Sequence, residues 1–167
     1  AIDLYQIHRW DDDTPIEETL RTLTDAVRRG DVRHLGASSM WAHQFAAALH
    51  AAERGGHEPF VTMQNHYNLA YREEEREMLP LCEKAGIGVM PWSPLARGYL
   101  ARPHEEVDAT LRGETEEHLY EHPYQEGGGP ATNERVAELA DEKGVKMAQI
   151  ALAWLFHKPW VATPILG

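Results

Sequence analysis

The apolar and polar positions begin with an apolar, β-prone stretch at 2–8, with Leu4, Gln6 and His8 on one face of an extended segment and Asp3, Tyr5 and Ile7 on the other; this reads as a strand covered on both sides. The period then becomes helical. Ile16, Leu20, Leu23 and Val27 share a stripe behind Thr14, Pro15, Ile16 and Glu17, a capping box with proline at the first helical position, and Gly30 closes the helix. Residues 32–37 form the next strand, ending in Ser38 and Ser39. Trp41, Phe45, Leu49 and Ala52 mark a second helix that stops at Gly55 and Gly56. A third strand at 60–64 is followed by a third helix at 73–85, kinked or divided by Pro80, and a fourth strand at 87–92. The pattern lapses over 101–130 into charged, histidine-containing and glycine-rich sequence, an insertion within the domain. Helices at 133–143 and 148–157 and a fifth strand at 160–165 complete the chain.

Repeated strand–helix units with short turns imply parallel strands joined by right-handed crossovers, hence an α/β sheet or barrel. The polar residues favour the barrel. His8, Ser38, Gln64, Trp92 and Gly167 fall at or just after the C-terminal ends of five successive strands, where a barrel assembles its site. A doubly wound sheet would gather its ligand groups at one switch point, and no G-x-G-x-x-G follows the first strand. A complete barrel has eight strands in about 250 residues. The expected fold is therefore a partial (β/α)8 TIM barrel, about five of eight strands in a single domain over 1–167, with the first strands missing.

The junction after the fourth strand carries the densest chemistry. Pro91 and Pro94 break any regular ladder, Trp92 stands at the strand's end, and Ser93, Pro94, Leu95, Ala96, Arg97 and Gly98 follow as a loop. Free backbone N–H groups, a hydroxyl and a guanidinium suit a phosphate, and the indole suits a stacked ring. A strand ending in a tight turn with a core tryptophan is the plainer alternative. The net charge of −11 argues against nucleic acid and anionic membrane as partners. Cys82 is the single cysteine, so no internal disulfide framework exists, which favours a reducing, cytoplasmic setting. His118 and His122 share a helical face with Glu121 between them. No H-E-x-x-H pattern or third ligand accompanies them, and no metal is assigned. Asp11 to Asp13 read as a solvated run capping the first helix.

The segments IDLYQIHRWD, HLGASSM, MQNHYNL, MPWSPLARG and PILG, in this order and spacing, resemble the aldo-keto reductases, closest to the branch containing potassium-channel β subunits and many prokaryotic reductases. The resemblance covers essentially the whole chain. It implies a barrel that uses NADPH to reduce aldehydes and ketones. By it, His8 is the tetrad histidine that orients and polarises the substrate carbonyl. Ser38, with Ser39 beside it, and Gln64 match the residues that hold the nicotinamide carboxamide. Trp92 takes the place of the ring stacked on nicotinamide, and Ser93, Pro94, Leu95, Ala96, Arg97 and Gly98 that of the pyrophosphate loop. Arg112 matches a cofactor-clamping arginine, and Gly167 the glycine that starts the adenosine-phosphate loop.

The departures from the family pattern are specific. Ser39 stands where many members have asparagine, and the usual GKY turn is replaced by Leu100, Ala101, Arg102 and Pro103. The tetrad's aspartate, tyrosine and lysine belong upstream of Ala1, and the basic segment that reads the 2′-phosphate belongs after PILG; the piece alone is thus expected to be inactive. Expected partners are a small carbonyl substrate, the missing N-terminal segment of the same barrel and, as an option, a second copy of the chain. Two other functions fit the residues: a non-catalytic nucleotide-sensing subunit, or a phosphate-binding barrel of another family.

Overall fold

In the computed structural model the described residues are 1–106, 124 and 128–166. Arg112, His118, Glu121, His122 and Gly167 lie outside them. The chain divides into two compact units, Ala1–Asn65 with Glu74–Met90, and His66–Glu73 with Pro91–Gly167.

The first unit is a parallel sheet of four strands in sequence order, β1 (Ile2–Gln6), β2 (Val32–Ser38), β3 (Phe60–Gln64) and β4 (Gly88–Val89). Three helices connect them, α1 (Ile16–Arg28), α2 (Ala42–Gly55) and α3 (Met78–Ala85). Leu35 and Ala37 of β2, Met63 of β3 and Val89 of β4 are buried, as are Leu20, Phe45, Leu79 and Cys82 of the helices. Phe45 of α2 packs on Phe60 of β3 with ring centroids 6.3 Å apart. The register shifts between Leu35, paired with Phe60, and Gly36, paired with Thr62. Val61 is the extra residue, a bulge that puts Phe60 in the apolar layer and Thr62 on the opposite, polar face.

Several expectations are corrected here. β1 is not covered on both sides: Ile2 is 50% and Tyr5 44% exposed, and among the described residues β1 is the edge strand of the sheet, beside β2. The capping box of α1 does not form. Pro15 is the N-cap residue with no side-chain cap, since Asp11 Oδ2 takes the Thr14 hydroxyl at 2.7 Å. Asp11 also accepts from the Asp13 N–H at 3.0 Å, so the acidic run folds on itself rather than capping the helix. Trp41 is not on the apolar stripe of α2 but is its N-cap residue, 72% exposed. The expected third helix divides before Pro80: a 3₁₀ turn spans Glu73–Glu75, and α3 starts at Met78 with Pro80 in its first turn, where a missing N–H costs little.

β4 is shorter than expected. Met90 N–H still reaches Met63 O at 2.8 Å, but Pro91 has no N–H to carry the ladder on. The expected fifth strand is not one either; Ile165 N–H donates to Pro91 O at 2.8 Å, while Pro164 lacks a donor.

The second unit contains α4 (Gly129–Lys143) and α5 (Met147–Phe156). Its core joins Ala96, Tyr99 and Leu100 to Tyr124, to Val136 and Ala140 of α4, and to Met147 and Ala151 of α5. Asn133, buried on α4, donates its amide to the carbonyls of Tyr99 and Arg102, tying the segment after the loop to the helix. Gly144 ends α4 in a left-handed conformation (φ 64°), the usual glycine stop. Among the described residues no helix is long and apolar enough to cross a membrane.

Candidate active site

On the polar face of the first unit, strand pairing sets Gln6 of β1, Gly36 of β2 and Thr62 of β3 side by side, and Ser38 beside Gln64 one pleat further on. Ser38 is 3% exposed. Its hydroxyl donates to the Gln64 backbone carbonyl at 3.0 Å and lies 3.1 Å from Ser39 Oγ. With its proton directed at that carbonyl, Ser38 Oγ presents lone pairs. Ser39 adopts φ 50°, a left-handed conformation that a serine takes at a cost of about 1–3 kcal/mol.

Gln64 Nε2 donates to Gln6 Oε1 at 2.9 Å, and Gln6 Nε2 to Thr62 Oγ1 at 3.2 Å. No described residue donates to Gln64 Oε1. Two acceptors at the ends of β2 and β3 fit a ligand bearing an amide NH₂, as the nicotinamide carboxamide does. His8 lies two residues beyond β1, exposed; the segment before it is held to β2 by the Ile7 N–H on Gly36 O at 3.0 Å. A cavity of about 140 Å³ lies beside the same segment, lined by Ile7, Arg9, Trp10, Asp11, Thr14, Ile16 and Thr19, and His8 is not part of its lining.

In the second unit, Trp92 forms a bridge with His66, and the two rings stack at 4.1 Å and 8°. Tyr71 stacks on His66 as well, at 4.1 Å and 14°. The tryptophan is thus not left alone at the strand's end, as its sequence position suggests. The loop behind it is conformationally unusual. Ser93 (φ 51°), Ala96 (φ 49°) and Arg97 (φ 56°) are all left-handed, followed by Gly98 (φ 104°). Left-handed non-glycine residues tend to cluster where a backbone is shaped for a ligand. Its N–H groups are less available than the sequence suggests: Ala96 donates to Ser93 O and Gly98 to Leu95 O, each at 2.9 Å, and Pro94 has none.

Three residues of this arrangement were not singled out by sequence. Asn68 is buried; its Oδ1 accepts from the N–H groups of Ala70 and Tyr71 and its Nδ2 donates to Ser93 O, all at 2.9 Å, pinning the start of the loop. His66 Nε2 lies 2.6 Å from the Tyr124 hydroxyl. Gln6 was visible as a polar residue on the His8 face, a signal for an inward role. Asn68 and His66 sit in the MQNHYNL segment, but nothing in their spacing reveals which backbone they hold. Among the described residues no three His, Cys, Asp or Glu side chains converge as metal ligands.

Comparison with known proteins places these features. Residues 1–167 match the Aldo/keto reductase family. An aldo-keto reductase of Alternaria alternata is 46% identical over 99% of this chain and 44% of its own length. A putative aryl-alcohol dehydrogenase of Schizosaccharomyces pombe is 48% identical over 94% of this chain and 44% of its own. Versiconal hemiacetal acetate reductase of Aspergillus parasiticus is 46% identical over 99% and 48%. The chain thus spans about half the length of the curated relatives it matches, and the reading as a phosphate-binding barrel of another family is set aside. A parallel sheet alternating with helices, polar groups at the strand ends and a match along the entire chain lead to one conclusion: the chain belongs to the aldo/keto reductase family.

Proposed function

We propose that the full-length protein carrying this chain is an NADPH-dependent oxidoreductase that reduces aldehydes or ketones to alcohols. The observation that carries the reading is the pair of acceptors at the ends of β2 and β3, Ser38 Oγ and Gln64 Oε1, in a chain of this family. The names of the relatives, an aryl-alcohol dehydrogenase and a hemiacetal acetate reductase, point to the same alcohol–carbonyl chemistry. Ser38, Ser39 and Gln64 would hold the carboxamide. By the family resemblance, Trp92 would give its ring to the nicotinamide and the loop from Ser93 through Gly98 its backbone to the pyrophosphate. Arg112 and Gly167 keep the cofactor-binding roles assigned by resemblance.

The nicotinamide, when bound, supplies a hydride. His8 would donate a hydrogen bond to the substrate carbonyl oxygen, for which a neutral imidazole suffices. Protonation of the resulting alkoxide requires a general acid, a step typically worth about 10²- to 10⁴-fold, and in this family pattern that acid is the tyrosine upstream. The single cysteine of the chain, Cys82, favours a reducing, cytoplasmic setting.

The test is cofactor oxidation by the full-length protein with a reactive aromatic aldehyde, with NADPH and NADH compared. Turnover that falls sharply in His8→Ala, with cofactor affinity kept, is the expected result. Binding without turnover would turn the reading into a nucleotide-sensing subunit. Trp92→Ala should weaken cofactor binding by about 1–3 kcal/mol, the scale of a lost aromatic contact.

A further inference from the structure

Gln6 makes a contact that crosses a whole strand. It lies on β1 and Gln64 on β3, with β2 between them, yet Gln64 Nε2 donates to Gln6 Oε1 at 2.9 Å. The reach is possible because the residue of β2 paired with Gln6 is Gly36. A Cβ at Gly36 would lie 2.4 Å from Thr62 Oγ1, 2.6 Å from Gln6 Cγ and 2.9 Å from Gln6 Nε2, so the Gln6 amide occupies the space a side chain there would need.

The direction of the amide chain follows from its far end. Gln6 Nε2 faces Thr62 Oγ1 at 3.2 Å and Met90 Sδ at 3.9 Å. A hydroxyl serves a donor or an acceptor equally, but a thioether only accepts. Met90 therefore selects the Gln6 rotamer with its NH₂ toward Thr62 and Met90 and its oxygen toward Gln64. That oxygen in turn draws the Gln64 NH₂. The remaining atom of the Gln64 amide, Oε1, is left for a ligand.

We propose that Gln6 is a positioning residue for the nicotinamide subsite: through Thr62 and Met90 it fixes the flip of the Gln64 amide so that Gln64 presents a carbonyl oxygen, and not an NH₂, to the carboxamide. The inference rests on the assignment of Gln64 made above. Without Gln6, both flips of Gln64 are open, and a ligand NH₂ meets the matching acceptor in only part of the population. Cofactor affinity falls through Gln64, and the chemistry of the bound complex is not otherwise touched.

The experiment is a double-mutant cycle in the full-length protein, read as NADPH affinity by fluorescence titration with thermal melts alongside, on the wild type, Gln6→Met, Gln64→Ala and the double variant. Gln6→Met should weaken binding about 5-fold, the scale of one net hydrogen bond. The double variant should bind as Gln64→Ala does, because Gln6 acts only through Gln64. Unchanged affinity in Gln6→Met, or losses that multiply in the double variant, would overturn the proposal. An unchanged Gln64→Ala would instead sink the assignment of Gln64, and this inference with it. Should Gln6→Met fail to fold, Thr62→Val removes the oxygen that holds Gln6 with little change of shape. Its expected loss is about 3-fold, and wild-type affinity there would equally count against the proposal.

Discussion

The His66 imidazole lies parallel to the Trp92 indole, 4.1 Å away, while its Nε2 is 2.6 Å from the Tyr124 hydroxyl. Asn68 Nδ2, which can only donate, approaches the same nitrogen at 3.5 Å, so Nε2 is the acceptor and Tyr124 the donor. Burial, and secondarily the Arg97 guanidinium, push the His66 pKa down from 6.5 to about 4. The unfolded chain takes up a proton near pH 6.5 and the folded one only near pH 4, so within that window the unfolded state holds more protons. His66 therefore leaves stability intact above pH 6.5 and erodes it as pH falls toward 4. His66→Phe should flatten the acid side of a plot of melting temperature against pH. Parallel curves for the two proteins would contradict this.

Asn68→Ala removes from a buried side chain its bonds to the N–H groups of Ala70 and Tyr71, to Ser93 O and to His66 Nε2; the Tyr71 N–H keeps the Asn68 backbone carbonyl at 3.2 Å, but the Ala70 N–H is left short of an acceptor. A loss of about 2–3 kcal/mol in urea unfolding is expected, in line with the cost of buried unsatisfied groups. A neutral effect would mean that the loop start is held by other contacts.

Gly36→Ala should destabilise by about 1–3 kcal/mol through overpacking, since the new methyl meets Thr62 and Gln6 well inside contact distance. Gly30 has open space around its Cβ position, so Gly30→Ala should instead report the backbone cost of φ 78°. Chemical denaturation of both variants separates the two causes: restoring room with Gln6→Ala should relieve Gly36→Ala and leave Gly30→Ala unchanged.

Cys82 is buried in α3, and desolvation, with a smaller contribution from Glu74, raises its thiol pKa to about 12. It should resist a thiol reagent in the folded protein and react fully in denaturant, as absorbance of the released chromophore would show. Rapid labelling under native conditions would indicate frequent opening of α3.

The strands were legible where apolar runs sit between clear breakers. Residues 60–64 form β3 as read, and Gly56, Gly86 and Gly144 stop helices where their left-handed conformation costs nothing. The ends of elements were less legible because they depend on competing partners. Thr14 looks like a cap, but Asp11 captures its hydroxyl; residues 160–165 look like a strand, but Pro164 has no N–H to donate. Of the site, Ser38, Gln64 and Trp92 were marked by their places at strand ends. Gln6, Asn68 and His66 were not. Their roles arise from register and from side chains 25 to 58 residues distant in sequence, which no local period encodes.

The glycine at position 36 also favours one strand alignment over its neighbours. Gln6 and Thr62 are 56 residues apart, and their contact forms only if the strand between them offers a position with no side chain. Sliding β2 by one residue would bring Leu35 or Ala37 into the gap, and sliding it by two would bring His34 or Ser38. Each of these would displace the Gln6 amide and break its bonds to Thr62 and Gln64, each worth about 0.5–1.5 kcal/mol net, on every misaligned sheet. The correct sheet is thus the one in which three strands agree on a single empty position.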